Sequence, residues 1–222
     1  MTIFVIKIIA CITMILDHVK YGVPFLNNFI TNYFGRISFP LFAFLATEGY
    51  IHTSDLKKYY IRLIVFAIIS QIPFMLFRTL VGEWKMLNAI FTLLFGLIAI
   101  TIYDKEPKKC ISLPLVLLII FVGYLLKVDY GWFGVSVVFI MYLFKEKKGN
   151  LVIAYFSILI LYFYSRKMLI FNLEVILKFI SYLMPLIIIN FYNGKLGRKL
   201  KYFYYAFYPI HMLIIYLISF MY

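Results

Sequence analysis

Residues 35–52 read GRISFPLFAFLATEGYIH, and the reading of this stretch decides the fold. It is apolar enough to lie in a bilayer, yet it carries Arg36, Pro40, Glu48 and His52. A charge near the bilayer centre costs several kcal/mol (about +3 on insertion scales), so each one requires a partner or a task. On a helix rising about 1.5 Å per residue, Glu48 sits roughly 18 Å from Arg36. The two cannot pair and must belong to different depths. His52 follows Glu48 by one turn and is within its reach.

Outward from this stretch the chain keeps the same character. The 222 residues are 65% hydrophobic and 14% charged, against about 45–50% and about 25% in an ordinary soluble domain. The excess lies in repeated apolar runs of about 20 residues, each long enough to cross roughly 30 Å of hydrocarbon. Runs near 2–21, 36–53, 60–81, 86–103, 111–127, 130–145, 150–165, 172–191 and 202–221 predict about nine helices. The expectation is all-α: a polytopic transmembrane helical bundle, with 1–222 forming one integral membrane domain. The first run holds Asp17 and His18 and lacks a small-residue cleavage site, so it does not read as a cleaved signal. Pro24, Pro107 and Pro114 punctuate the breaks, whereas Pro40, Pro73, Pro185 and Pro209 fall inside spans. Cys11 and Cys110 suggest no disulfide framework, and the spacing of His, Cys and carboxylates gives no ligand set for a metal.

The net charge of +13 would point to nucleic acid in a soluble protein. Here it is expected from basic loops that face anionic lipid, with no nucleic-acid partner. Loops after the even-numbered spans hold thirteen basic residues: Lys57, Lys58, Arg62, Lys105, Lys108, Lys109, Lys145, Lys147, Lys148, Lys195, Arg198, Lys199 and Lys201. Loops after the odd-numbered spans hold seven: Lys20, Arg36, Arg78, Lys85, Lys127, Arg166 and Lys167. The richer side faces the cytoplasm by the positive-inside rule, which puts the N-terminus inside a bacterial cytoplasmic membrane.

Polar residues within the spans are the candidates for chemistry. Lys7 and His18 are eleven apart, nearly three full turns, so they share one helix face about 16 Å apart. Either they are a snorkelling lysine and an interfacial histidine, or an anion contact and a base. Asp17 points about 100° away from His18 and is expected to pair with Arg36 at the same level. Gln71 and Asn88 give polar faces to the third and fourth spans, and Asp129 begins the turn DYGWFG. Such residues serve as interhelical contacts and helix caps as readily as they bind substrate. His211 lies mid-span, two residues after Pro209. No phosphate loop, GxSxG, HExxH or Cys-x-x-Cys occurs.

Four blocks carry a resemblance: KIIACITMILDHVKYG at 7–22, the stretch from 35 to 74 that contains GRISFPLFAFLATEGYIH, DYGWFGV at 129–135 and YYAFYPIHMLII at 204–215. Together they resemble, in order, the TraX family of membrane proteins. The basic residue, ten residues, then His of the first block is also similar to a motif of the broader acyltransferase-3 group. The resemblance implies acetyl transfer from acetyl-CoA to an amine, as in acetylation of a pilin N-terminus, or to a hydroxyl. In that reading His18, Asp17, Glu48 and His211 are the catalytic candidates. Arg36, Gln71, Asn88 and Asp129 would hold an unidentified peptide or envelope acceptor. Lys7, Lys57, Lys58 and Arg62 would meet the phosphates of acetyl-CoA. The rival expectation is a small transporter or channel using the same charges as a relay. The absence of an inverted repeat between the halves disfavours it.

Overall fold

The computed structural model describes the chain except for Trp84, residues 169–171, Lys199, Leu200, Tyr222 and the side chains at 201–202. Lys199 and the side chain of Lys201, both counted among the basic loop residues, therefore lie outside what is described. Nine long α-helices and one short one form among the described residues: α1 (Ile3–Gly22), the short α2 (Phe29–Tyr33), α3 (Ser38–His52), α4 (Leu56–Thr79), α5 (Ala89–Lys105), α6 (Lys109–Leu125), α7 (Gly131–Leu143), α8 (Lys148–Ser165), α9 (Leu173–Asn190) and α10 (Lys201–Ile218). The nine long helices match the nine apolar runs. Asn28, Asp55, Asn88 and Asn172 cap α2, α4, α5 and α9, each accepting a backbone N–H from the first turn.

The quoted stretch departs from the expectation at its start. Residues 34–37 form a 3₁₀ turn, and α3 begins only at Ser38. Arg36 is therefore presented from a turn and not from the helix that carries Glu48. Pro40 falls in the first turn of α3, where a missing N–H leaves no intrahelical bond unmade. It starts the helix and does not bend it. Pro114, expected at a break, lies inside α6.

Helix α7 is the hub. Every residue from Phe133 to Tyr142 is buried, and α3, α5, α6 and α8 pack around it. A helix apolar on all sides belongs either in lipid or inside the protein, and α7 is enclosed by protein. Helix α1 packs on α3, α10 and the 34–37 turn, while α4 lies against α5 and α10. The outward faces of α4 (Ile64, Ile68, Ile72) and α6 (Leu117, Phe121, Leu125) remain exposed and apolar, as lipid contact requires. Among the described residues, four helices are long and apolar enough to cross a membrane: α4, α8, α9 and the C-terminal helix from Phe203. In a chain this apolar they make a membrane protein. The other long helices are shorter or carry more charge. Helix α1 carries Lys7, Asp17 and Lys20, whose charges are handled within the protein, and α7, at 13 residues, is walled off by its neighbours.

Candidate functional site

Two cavities approach each other from opposite ends of the bundle. The first, about 390 Å³, lies between the start of α1, the end of α3 and the starts of α4 and α10; Lys7, Glu48, His52, Arg62 and Arg198 are its charged or titratable lining. The second, about 990 Å³, lies among the opposite helix ends and is lined by Asp17, Arg36, Arg78, Lys85 and Arg166 with aromatic rings between them. Three residues line both: His18, Asp129 and Tyr130. The first volume is in the ordinary range of small-molecule sites, roughly 300–1,000 Å³.

His18 is one end of a defined hydrogen-bond chain. Its Nδ1 lies 2.8 Å from Nε2 of His211, and Nδ1 of His211 lies 2.8 Å from the Phe207 carbonyl. A carbonyl only accepts, so His211 carries its proton on Nδ1 and offers a lone pair at Nε2. His18 then donates from Nδ1 and keeps its own lone pair on Nε2. The two imidazoles are nearly parallel; Phe207 stacks on His211, and Phe77 packs against His18. Pro209, inside α10, lacks the backbone N–H that would bond the Tyr205 carbonyl one turn earlier.

Asp17 does not serve this pair. Its carboxylate accepts from Lys20 at 3.0 Å and faces Arg36 at 3.7 Å. The expected Asp17–Arg36 contact is present, but Lys20 is closer and only 7% exposed. Lys20 was expected in a loop. Its spacing of one turn from Asp17 is the signal that could have found it. Glu48 and His52 meet at 3.4 Å on the first cavity's wall, a full bundle level away from His18.

Other candidate residues have different employment. Asn88 caps α5 and donates to the Ala67 carbonyl and to Gln71, whose amide also donates to the Met86 carbonyl. Neither Gln71 nor Asn88 lines either of these two cavities; their hydrogen bonds join α4 to α5. Lys57 and Lys58 also stay outside the first cavity; Lys58 pairs with Asp55 at the start of α4. Lys7 and Arg62 do line it. Arg62 Nε and the Tyr204 hydroxyl are buried there without a hydrogen-bond partner among the described residues. Arg198, in the loop before α10, adds a third cation. Its loop is fixed by backbone bonds from Ile3 and Phe4 to the carbonyls of Lys195 and Leu196.

Asp129 sits where the cavities meet, its backbone carbonyl accepting from Thr92 and its carboxylate from the Tyr130 N–H. Loss of water pushes this carboxyl up to about 6, against the pull of the Arg78 charge. A carboxyl raised above its unfolded value of 3.8 contributes stability that is complete below that value and lost as pH rises through about 6. The melting temperature in detergent should therefore fall between about pH 4 and about pH 6. Asp129→Asn should flatten that part of the curve; an unchanged slope would assign it to other groups. The residue that sequence reasoning missed altogether is Tyr130. Nothing in DYGWFG marks its side chain as inward-facing.

Comparison with known proteins adds two findings. The family model described as "TraX protein" matches residues 4–219. A probable fimbrial assembly protein, FimC of serogroup H1, from Dichelobacter nodosus is 27% identical over 230 residues, covering 94% of this chain and 92% of its own. No solved structure matches.

Proposed function

Because the chain belongs to the TraX family, we propose that it is an integral-membrane acyltransferase, moving acetyl from acetyl-CoA to an amine or hydroxyl across the bundle. The observation that carries this reading is the His18–His211 chain at the meeting point of two opposed cavities. The donor occupies the first cavity. Lys7, Arg62 and Arg198 meet its phosphates, and the unpartnered Arg62 Nε and Tyr204 hydroxyl are sites for acceptor and donor groups of the ligand. Its pantetheine arm, about half a bilayer long, brings the thioester to His18. The acceptor enters from the second cavity. The fimbrial name of the relative favours a peptide N-terminus, such as that of a pilin subunit.

In this mechanism His18 Nε2 takes a proton from the acceptor nitrogen or oxygen as that atom attacks the thioester carbonyl. Arg36 faces the developing oxyanion. The tetrahedral intermediate collapses, the C–S bond breaks, and His18 returns the proton to the coenzyme's thiolate. His211 holds His18 in the tautomer that leaves Nε2 basic. Asp17 holds Arg36 in place and is itself paired with Lys20.

The test is incubation of purified protein in proteoliposomes with radiolabelled acetyl-CoA. Binding, slow hydrolysis or transfer to a peptide amine is expected, weakened at least tenfold by Arg62→Ala. Absence of all three would sink the enzyme reading. The two opposed cavities also suit a transporter, and ion flux without acetyl-CoA turnover would favour it.

The proposed orientation places the first cavity on the cytoplasmic side of the cell membrane. Lys20 and Arg36 are held by Asp17, so the contrast between basic-rich and basic-poor loops is sharper than a plain count. Cys110, exposed at the start of α6, provides a native reporter. A membrane-impermeant maleimide should leave Cys110 unlabelled in intact cells and label it in inverted vesicles. Labelling from outside would reverse the topology.

A further inference from the structure

The turn between α6 and α7 is built to place one ring. Tyr130 has φ 63° and ψ −4°, the left-handed region, which is unfavourable for a bulky L-residue. Lys127 and Gly131 also have positive φ. A strained turn persists only where its surroundings over-determine it. Here Leu87 donates to the Lys127 carbonyl and accepts from the Asp129 N–H, and Gly131 donates back to Val128. The result points the Tyr130 ring into the bundle, stacked on Phe39 with centroids 3.9 Å apart and planes 18° apart. Gly134 makes room for the pair. A Cβ there would lie 2.5 Å from Thr92 Cγ2, 2.8 Å from Tyr130 Cβ and 2.9 Å from Phe39 Cζ. A strained backbone, a glycine at a close approach and a face-stacked aromatic pair all serve the same small volume. That volume is the boundary where Tyr130 lines both cavities.

We propose that Tyr130, backed by Phe39, is the partition that separates the two cavities. It closes the bundle to through-passage and leaves His18 reachable from each side. The partition stands on geometry alone. Its chemical consequence rests on the acyltransferase reading: it keeps water in the larger cavity away from the donor thioester until an acceptor fills the gap. Without it, a water oxygen attacks the thioester carbonyl, the C–S bond breaks, and acetate and the free coenzyme thiol leave.

The experiment uses the full chain in proteoliposomes, in a Cys11→Ala, Cys110→Ser background. Met14→Cys is the reporter, since Met14 lines the first cavity and not the second. A charged, membrane-impermeant thiol reagent is applied to each face in turn. With Tyr130 in place, the reporter should be reached from one face only. Tyr130→Ala and Phe39→Ala should each open the second face, with labelling there at least tenfold faster, while Tyr130→Phe stays closed. A reporter reached from both faces in the unaltered protein, which needs no folding assumption about a variant, overturns the proposal. So does unchanged one-sided labelling in a folded alanine variant. Acceptor-free release of coenzyme thiol from acetyl-CoA is measured on the same samples. A rise with Tyr130→Ala supports the water-exclusion role. Open labelling without such a rise counts against the acyltransferase reading and leaves the partition standing.

Discussion

His18→Ala should abolish acyl transfer, a loss of about 10²–10⁴-fold for a missing general base. The folded state should survive, because His18 contributes one hydrogen bond and ring contacts and no buried charge pair. His211→Phe is the informative partner. It keeps a ring against Phe207 and His18 but removes the Nε2 lone pair that fixes the His18 tautomer. A smaller loss, about 10–10²-fold, is expected, since His18 then populates the wrong tautomer part of the time. Adding imidazole should restore some activity to His18→Ala and none to His211→Phe. Asp17→Asn should behave differently from both. It leaves the buried Lys20 and the half-buried Arg36 without their counter-charge, at about 3–5 kcal/mol, so its effect should appear as lost folded protein. The release of coenzyme thiol with a peptide amine as acceptor reads the first two variants; thermal unfolding reads the third. Full activity in His18→Ala would remove the base from the mechanism.

Gly35→Ala should prevent folding. A Cβ at this position would lie 2.5 Å from Asp17 Cα, 2.6 Å from Asp17 Cβ and 2.8 Å from the Asp17 nitrogen. Two of these are backbone atoms of α1, so no side-chain rotation relieves the clash. The 34–37 turn would have to move off α1, taking Arg36 away from Asp17 and unpairing a buried charge. Overpacking alone costs about 1–3 kcal/mol, and loss of the Asp17–Arg36 contact adds to it. Size-exclusion of the detergent-solubilised protein should show aggregate or no protein. Gly149→Ala in α8 is the matched control. A Cβ there meets nothing within 4 Å, so the yield and melting temperature should hold or rise slightly. Comparable yields of the two variants would mean that α1 and the turn are not in this close contact.

The fold was legible because bilayer physics leaves few solutions. Apolar runs of helical length spelled out nine helices, and the structure places them within a few residues of the expected bounds. Parts of the site were legible for the same reason. Asp17, Arg36 and His211 are costly in an apolar span, so their presence there demanded partners. Gln71 and Asn88 showed the limit of that logic. A polar side chain satisfied by backbone carbonyls and one aimed at a ligand have the same sequence signature. Lys57 and Lys58 showed another, since charge alone does not tell a cavity wall from a solvated helix start.

In GRISFPLFAFLATEGYIH the sequence by itself determined that Arg36 and Glu48 act at different depths, because helical rise per residue is local and invariant. The same local geometry predicted the Glu48–His52 contact. Only the tertiary structure decided that Arg36 leaves the helix for a turn, that Lys20 joins it on Asp17, and that His18 and His211 meet across 193 positions of chain. It also decided that Tyr130 turns inward to stand between two cavities. Each of these depends on which helices pack side by side and on how a short turn is strained. That is fixed by side-chain contacts far apart in sequence, which no window of neighbouring residues contains.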